Sequence, residues 1–297
     1  MTDRQLLEDG YDIHIHASPD VIPRALDLAQ LCREAENAGM AGILIKDHCT
    51  STVVRAAALN QMGRGICRFF SALALNPPVG ALNPCAVEAS LKAGVDVIYF
   101  PTYGAAHHIA IWGAGKPPTA FPLPGQGFSG ISILDEYMTL KAEARKILEL
   151  IAEHDAVLAT GHISPHESLI LLRKARELGI ERLLVTHASE SVSAFTEEEQ
   201  QEAVNLGAVM EHSFFAATPS CPNPITLERM RDMIRAVGVA HVVLSSDFGQ
   251  KANGNPVKNY VRHLERMQAL GFSAPEIRQM ICINPQKLLA RSSCSFI

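Results

Sequence analysis

The chain has no Cys-x-x-Cys pair, no long apolar run, no basic block and no glycine-rich loop after its first apolar segment. Each absence excludes something. Its seven cysteines are scattered and odd in number, which speaks against a disulfide framework and fits reduced thiols in a cytosol. No apolar stretch approaches the ~20 residues that span a bilayer, and the polar opening Met1-Thr2-Asp3-Arg4-Gln5 has no signal-peptide core. A cytoplasmic protein without a membrane partner is the expectation. The tail Cys294-Ser295-Phe296-Ile297 matches a prenylation box only loosely, with no polybasic stretch before it. Net charge is −5, and without clustered Lys/Arg there is no footprint for nucleic acid. The missing glycine loop argues against a nucleotide-dependent oxidoreductase.

What is present is a core-forming composition: 297 residues, 47% hydrophobic and 19% charged. That is enough for one large or two ordinary domains. Short apolar runs alternate with amphipathic segments through the whole length. The runs show no clear in–out alternation, as expected of parallel strands buried on both faces. The spacing predicts helices over 23–38, 52–62, 83–94, 132–154, 164–178, 196–206, 226–238, 256–270 and 273–291. Capping boxes open three of them, at Ser164/Glu167, Thr196/Glu199 and Ser273/Glu276. Residues 107–130 are rich in Gly and Pro and read as one long irregular loop, a lid rather than a domain linker. About eight strand–helix units in succession leave two choices, a doubly wound sheet or a closed barrel. With no phosphate loop, the expectation is an α/β chain folded as one (β/α)8 TIM barrel domain over 1–297, with extra C-terminal helices.

The polar residues carry the functional reading. Asp12-Ile13-His14-Ile15-His16 ends the first strand, and alternate strand residues share a face, so His14 and His16 project together with Ile13 and Ile15 opposite. Alone, such a pair is no more than two polar residues at a terminus. But Lys46, His48, Tyr103, His162, His187, His212 and Asp247 also fall at the C-terminal ends of predicted strands, and His162, His187 and His212 are equally spaced. In a (β/α)8 barrel those ends converge on one mouth. Neutral imidazoles and a carboxylate gathered there are metal ligands. His154, His166, His241 and His263 fall in helices or at strand starts and read as structural or solvated.

This set resembles the amidohydrolase superfamily of metal-dependent hydrolases: His14-x-His16 on the first strand, Gly161-His162 on the fifth, Thr186-His187 on the sixth, Ser245-Ser246-Asp247 on the eighth, and a C-terminal Asn284-Pro285-Gln286-Lys287-Leu288-Leu289 segment. The fourth strand ends Phe100-Pro101-Thr102-Tyr103 and lacks the Lys or Glu that bridges two metals in such enzymes. Lys46-Asp47-His48 is similar instead to the second-strand Thr-Asp-His of polymerase-and-histidinol-phosphatase barrels, whose Asp-x-His at the last strand is absent here. The resemblance implies a metal-activated water attacking a small ester, lactone, amide or related substrate. Metal candidates are His14, His16, His48, His162, His187 and Asp247, holding one or two ions. Zinc suits such donors best, with manganese, iron or nickel as alternatives. Asp247 is the expected proton acceptor. His187 either binds a second ion or orients the substrate, and Lys46 either stabilises an anion or pairs with Asp47. Tyr103, His107 and His108 are expected to close the site, and His212 either reaches the substrate or lines the wall. Rival chemistries on the same barrel are phosphoester hydrolysis and metal-dependent decarboxylation or another lyase reaction. The partner expected is a small molecule, with self-association left open.

Overall fold

The computed structural model describes residues 6–113, 124 and 127–291. Eight strands run β1 (Tyr11–Ile15), β2 (Gly42–Ile45), β3 (Arg68–Ala74), β4 (Val97–Tyr99), β5 (Val157–Ala159), β6 (Leu183–Val185), β7 (Ala208–Ser213) and β8 (Val242–Ser245). They pair in sequence order, every pair parallel. The sheet closes where β1 meets the chain just after β8. There the Asp247 amide donates to the His14 carbonyl and the His16 amide to the Phe248 carbonyl, both at 2.8 Å. The chain is a (β/α)8 barrel, with additional helices at its C-terminal end.

The strand faces sort into two apolar layers. Ile13, Leu44, Phe70, Ala72, Val97, Tyr99, Val157, Leu184 and Val243 pack inside the barrel. Ile43, Phe69, Ile98, Leu158, Leu183, Met210 and Leu244 face the helices. Both faces are dry, which is why the strands show no alternation of polar and apolar residues. The Asn-Pro segment closes the end opposite the mouth. Asn284 donates to the Val239 and Val242 carbonyls at 2.8 and 2.6 Å, and Leu288 and Leu289 seal the inner layer, each burial stabilising by roughly 1.5–3 kcal/mol.

Around the strands lie α1 (Leu28–Asn37), α2 (Val53–Met62), α3 (Pro84–Lys92), α4 (Ala106–Trp112), α5 (Ala142–Glu153), α6 (Pro165–Glu177), α7 (Glu197–Asn205), α8 (Leu227–Val237), α9 (Pro256–Ala269), α10 (Ala274–Arg278) and α11 (Asn284–Leu289). The three expected capping boxes form, at the starts of α6, α7 and α10. Four expectations need correction. First, α1 begins at Leu28 and not at Pro23, capped by an Asp27/Gln30 box. Residues 18–27 instead form a strap, whose Ala25 amide donates to the Gly249 carbonyl at 2.8 Å. Second, α4 occupies the start of the stretch expected to be irregular. Of the remainder, 114–123, 125 and 126, half of the expected lid, lie outside the described residues. Third, the helix expected from Ser132 starts only at Ala142. Asp135 folds back to accept from the Tyr137 and Thr139 amides, so it makes a turn and no helical first turn. Fourth, the last helix is not uniform, because a π-helical turn over Gln279–Ile283 separates α10 from α11. Among the described residues no helix is long and apolar enough to cross a membrane.

Candidate metal centre

The first strand does not alternate as expected. Asp12 pairs with Ile43 and Ile15 with Ile45, so three steps on β1 match two on β2. This extra residue acts as a bulge, which re-aims the side chains beyond it. Ile13 lies in the inner layer and Ile15 in the outer one, correcting the expectation that they share a face. The bulge lets His14 and His16 point inward, as Ile13 does.

Both histidines meet Asp247. His16 Nε2 lies 3.0 Å and His14 Nε2 3.3 Å from Asp247 Oδ1. His187 Nε2 is 3.9 Å from Asp247 Oδ2. His187 and Asp247 both have left-handed backbones, φ 56° and 49°, an uncommon state for residues other than glycine, and one that collects at functional sites. In His14 and His187 the second ring nitrogen is held from behind. His14 Nδ1 is 2.8 Å from Glu211 Oε1, and His187 Nδ1 is 3.1 Å from Glu190 Oε2 and 3.2 Å from Ser213 Oγ. A carboxyl oxygen accepting from Nδ1 keeps the proton there and leaves the Nε2 lone pair free for a cation.

The other expected residues fall around this core. His162 packs its ring 5.1 Å from that of His187. Its Nδ1 is 2.9 Å from His108 Nδ1, and its buried Nε2 has no hydrogen-bond partner among the described residues. His48 stacks on His16 at 5.0 Å, with Nδ1 2.9 Å from Thr102 Oγ1. Tyr103 lies edge-on to His48 and His108. Lys46 is buried, its Nζ 4.3 Å over the Tyr99 ring and, among the described residues, without a hydrogen bond. Asp47, the alternative partner expected for it, is taken by Arg55 at 2.7 Å.

Two expected residues are not brought into the cluster. His108 is buried beside His162, whereas the neighbouring His107 is only partly buried, because consecutive helical residues do not share a face. On β7, Glu211 reaches inward to His14 and to Ser245 Oγ at 2.6 Å. Strand alternation therefore turns His212 to the helix side, where it is buried with neither ring nitrogen bonded among the described residues.

Glu211 and Glu190 are the residues that sequence reasoning missed. Glu211 had a signal, a charged residue inside an apolar strand run, next to a histidine that drew attention instead. Glu190 lies in a loop, where no periodicity points to it.

Burial sets the charge states. The pKa of each of His14, His16, His48 and His162 is pushed well below the ordinary imidazole value, first by desolvation and then by nearby positive groups. Burial likewise brings His187 to about 3, against the pull of Asp247 and Glu211. These rings are neutral and able to ligate. Burial lowers Lys46 to about 8, although Asp247, Glu211 and Glu190 pull the other way. Glu190 is raised well above the usual carboxylate range by burial and the neighbouring Asp247.

The donors fit a divalent cation. Among the described residues three overlapping sets have ligand atoms within 4.8 Å of one another: His14/His16/Asp247, His14/His187/Glu211 and His187/Glu190/Asp247. Among the described residues buried His14 Nε2, His162 Nε2 and Glu211 Oε2 have no hydrogen-bond partner, a costly state for polar atoms in a dry interior that a cation would relieve.

Fold and cluster together define a (β/α)8 barrel with a histidine–carboxylate centre at its C-terminal mouth. The chain belongs to a family of unknown function (DUF6282), whose model matches residues 9–211. No curated protein matches it. Among solved structures it is similar to an amidohydrolase from Pseudomonas aeruginosa, with a TM-score of 0.66 at 10% identity, covering 97% of this chain and 98% of that one. It is also similar to an organophosphorus hydrolase from Deinococcus radiodurans, with a TM-score of 0.61 at 11% identity over 98% and 95% of the two chains. A lactonase from Listeria monocytogenes gives a TM-score of 0.61 at 11% identity over 98% and 97%. At such identities the likeness is one of fold.

Proposed function

We propose that the chain is a metal-dependent hydrolase of the amidohydrolase type, acting on a small ester, lactone or amide. One observation carries this reading: His14, His16 and His187 turn a ring nitrogen toward Asp247, while Glu211 and Glu190 hold His14 and His187 from behind. The named similar structures, an amidohydrolase and a lactonase among them, support it.

His14, His16, His187 and Asp247 would hold the cation, with His162 and His48 completing the donors. Nitrogen donors with carboxylates suit zinc, and manganese, iron or nickel as alternatives. When bound, such an ion polarises a carbonyl and lowers the pKa of water toward neutrality. The remaining work falls to the protein. Asp247 takes a proton from the attacking water and returns it to the leaving group. Glu211 and Glu190 keep Nδ1 of His14 and His187 protonated, so that both present Nε2. Lys46, buried and without a hydrogen-bond partner among the described residues, faces the negative charge that develops on the substrate oxygen.

Elemental analysis of the purified protein, with His14→Ala and Asp247→Asn variants, tests the reading. We expect one or two ions per chain, hydrolysis within an ester, lactone and amide panel, and loss of both metal and turnover in the variants. Full metal content and full activity in both variants would overturn it.

A further inference from the structure

A cavity of about 280 Å³ opens over His16 and His48, at the small end of ligand sites, which run to roughly 300–1,000 Å³. Its apolar walls come from Ile22, Pro23 and Phe215, and two cations, Arg24 and Lys251, line it. Among the described residues no carboxylate lines it.

Arg24 is the informative group. It is 5% exposed, far below what is usual for arginine. Asp20 holds one edge of the guanidinium: Nε donates to Asp20 Oδ2 at 2.7 Å, and Nη2 lies 2.6 Å from the same oxygen. Among the described residues neither Nη1 nor Nη2 makes a hydrogen bond, and Nη2 is buried and left unsatisfied despite its ion pair with Asp20. The strap that carries Arg24 is tied to the loop after β8, through the Ala25–Gly249 hydrogen bond and a bridge between Arg24 and Gln250. The guanidinium is thus oriented in advance, with one edge bound and the other free beside the metal-centre histidines. A guanidinium edge matches a carboxylate in shape and charge, and Nη2, buried without a hydrogen-bond partner among the described residues, is costly unless a ligand supplies an acceptor.

We infer that Arg24 is a specificity-determining residue, and that the substrate is a small carboxylic acid bearing the hydrolysable bond. Its carboxylate takes the Nη1 side of Arg24, with Lys251 as a second cation, and its apolar part lies against Ile22, Pro23 and Phe215. The placement of the hydrolysable bond over His16 and His48 rests on the hydrolase reading. The carboxylate contact does not.

The test uses benzoate, butyrate and hexanoate against benzamide and methyl benzoate, titrated into the full chain both free of metal and loaded with zinc. We expect at least one acid to bind saturably to the metal-free protein, at least tenfold more tightly than the neutral probes. That preference should disappear in Arg24→Gln, with zinc content unchanged. The paired variant D20N/R24M removes both buried charges together and guards against misfolding caused by an unpaired Asp20. Equal binding of acid and amide, acid binding retained in both variants, or no binding of any acid to the unaltered protein would overturn the inference. If zinc fails to bind but acid binding still depends on Arg24, the hydrolase reading fails and the carboxylate site stands.

Discussion

Replacing Glu211 by glutamine removes one buried negative charge at almost constant volume. Glu211 is fully buried, and its Oε1 takes His14 Nδ1 at 2.8 Å and Ser245 Oγ at 2.6 Å. Glutamine keeps an oxygen that can accept from His14, so the ring stays in place, but the charge that makes the ring a stronger donor to the metal is lost. Hydrogen bonds to charged groups contribute about 1.5–3 kcal/mol, and about 1.4 kcal/mol is tenfold in affinity. Removing a partner behind a ligating histidine costs ~10–100-fold in metal affinity. The two figures agree, so Glu211→Gln should weaken zinc binding about tenfold. Glu211→Ala, which also frees the ring to change tautomer, should approach 100-fold. Competition with a chromogenic chelator measures this on metal-free protein, with thermal melting as the control for folding. Zinc affinity within twofold of the unaltered protein in both folded variants would refute the claim that Glu211 orients His14 as a ligand.

Two further substitutions probe the frame of the site. Gly249 has φ +136°, and a Cβ there would stand 2.2 Å from the His16 carbonyl oxygen, so Gly249→Ala should cost roughly 1–3 kcal/mol and displace His16. Urea unfolding together with zinc titration would show a joint loss, and an unchanged pair of values would count against the contact. Asp12 concerns pH. Burial, opposed by hydrogen bonds from Ser246 and His14, raises its pKa from 3.8 to about 7. The unfolded chain therefore releases this proton first. The associated stability is fully present below pH 3.8 and is lost as pH rises through about 7. The amide introduced by Asp12→Asn has no such proton to lose, so the stability of that variant relative to the unaltered chain should grow between about pH 4 and 7, by a few kcal/mol in total. Urea midpoints of metal-free protein at about pH 5 and about pH 7.5, on either side of most of this change, measure it, and a difference that is flat or shrinks with pH would contradict it.

Much of this protein could be read from its residues in order. Strand–helix alternation and apolar runs buried on both faces were enough for the barrel, because both are local patterns with a fixed period. The barrel in turn implied that residues at strand ends as far apart as His14 and Asp247 would meet, and they do, within 3.3 Å.

Which way a side chain faces was a different matter. On β1 an extra residue reverses the alternation between Ile13 and Ile15, and on β7 the register turns Glu211 inward and His212 out. Neither leaves a periodic trace, since a one-residue slip preserves composition while exchanging every face. In α4 the same problem decides between His107 and His108. Glu190 and Arg24 come from a loop and a strap whose course is set by long-range bonds such as Ala25 to Gly249. Local sequence determined that a polar rim would exist. Closure of the barrel decided which residues form it, because distance and orientation across the mouth arise only once β1 and β8 have joined.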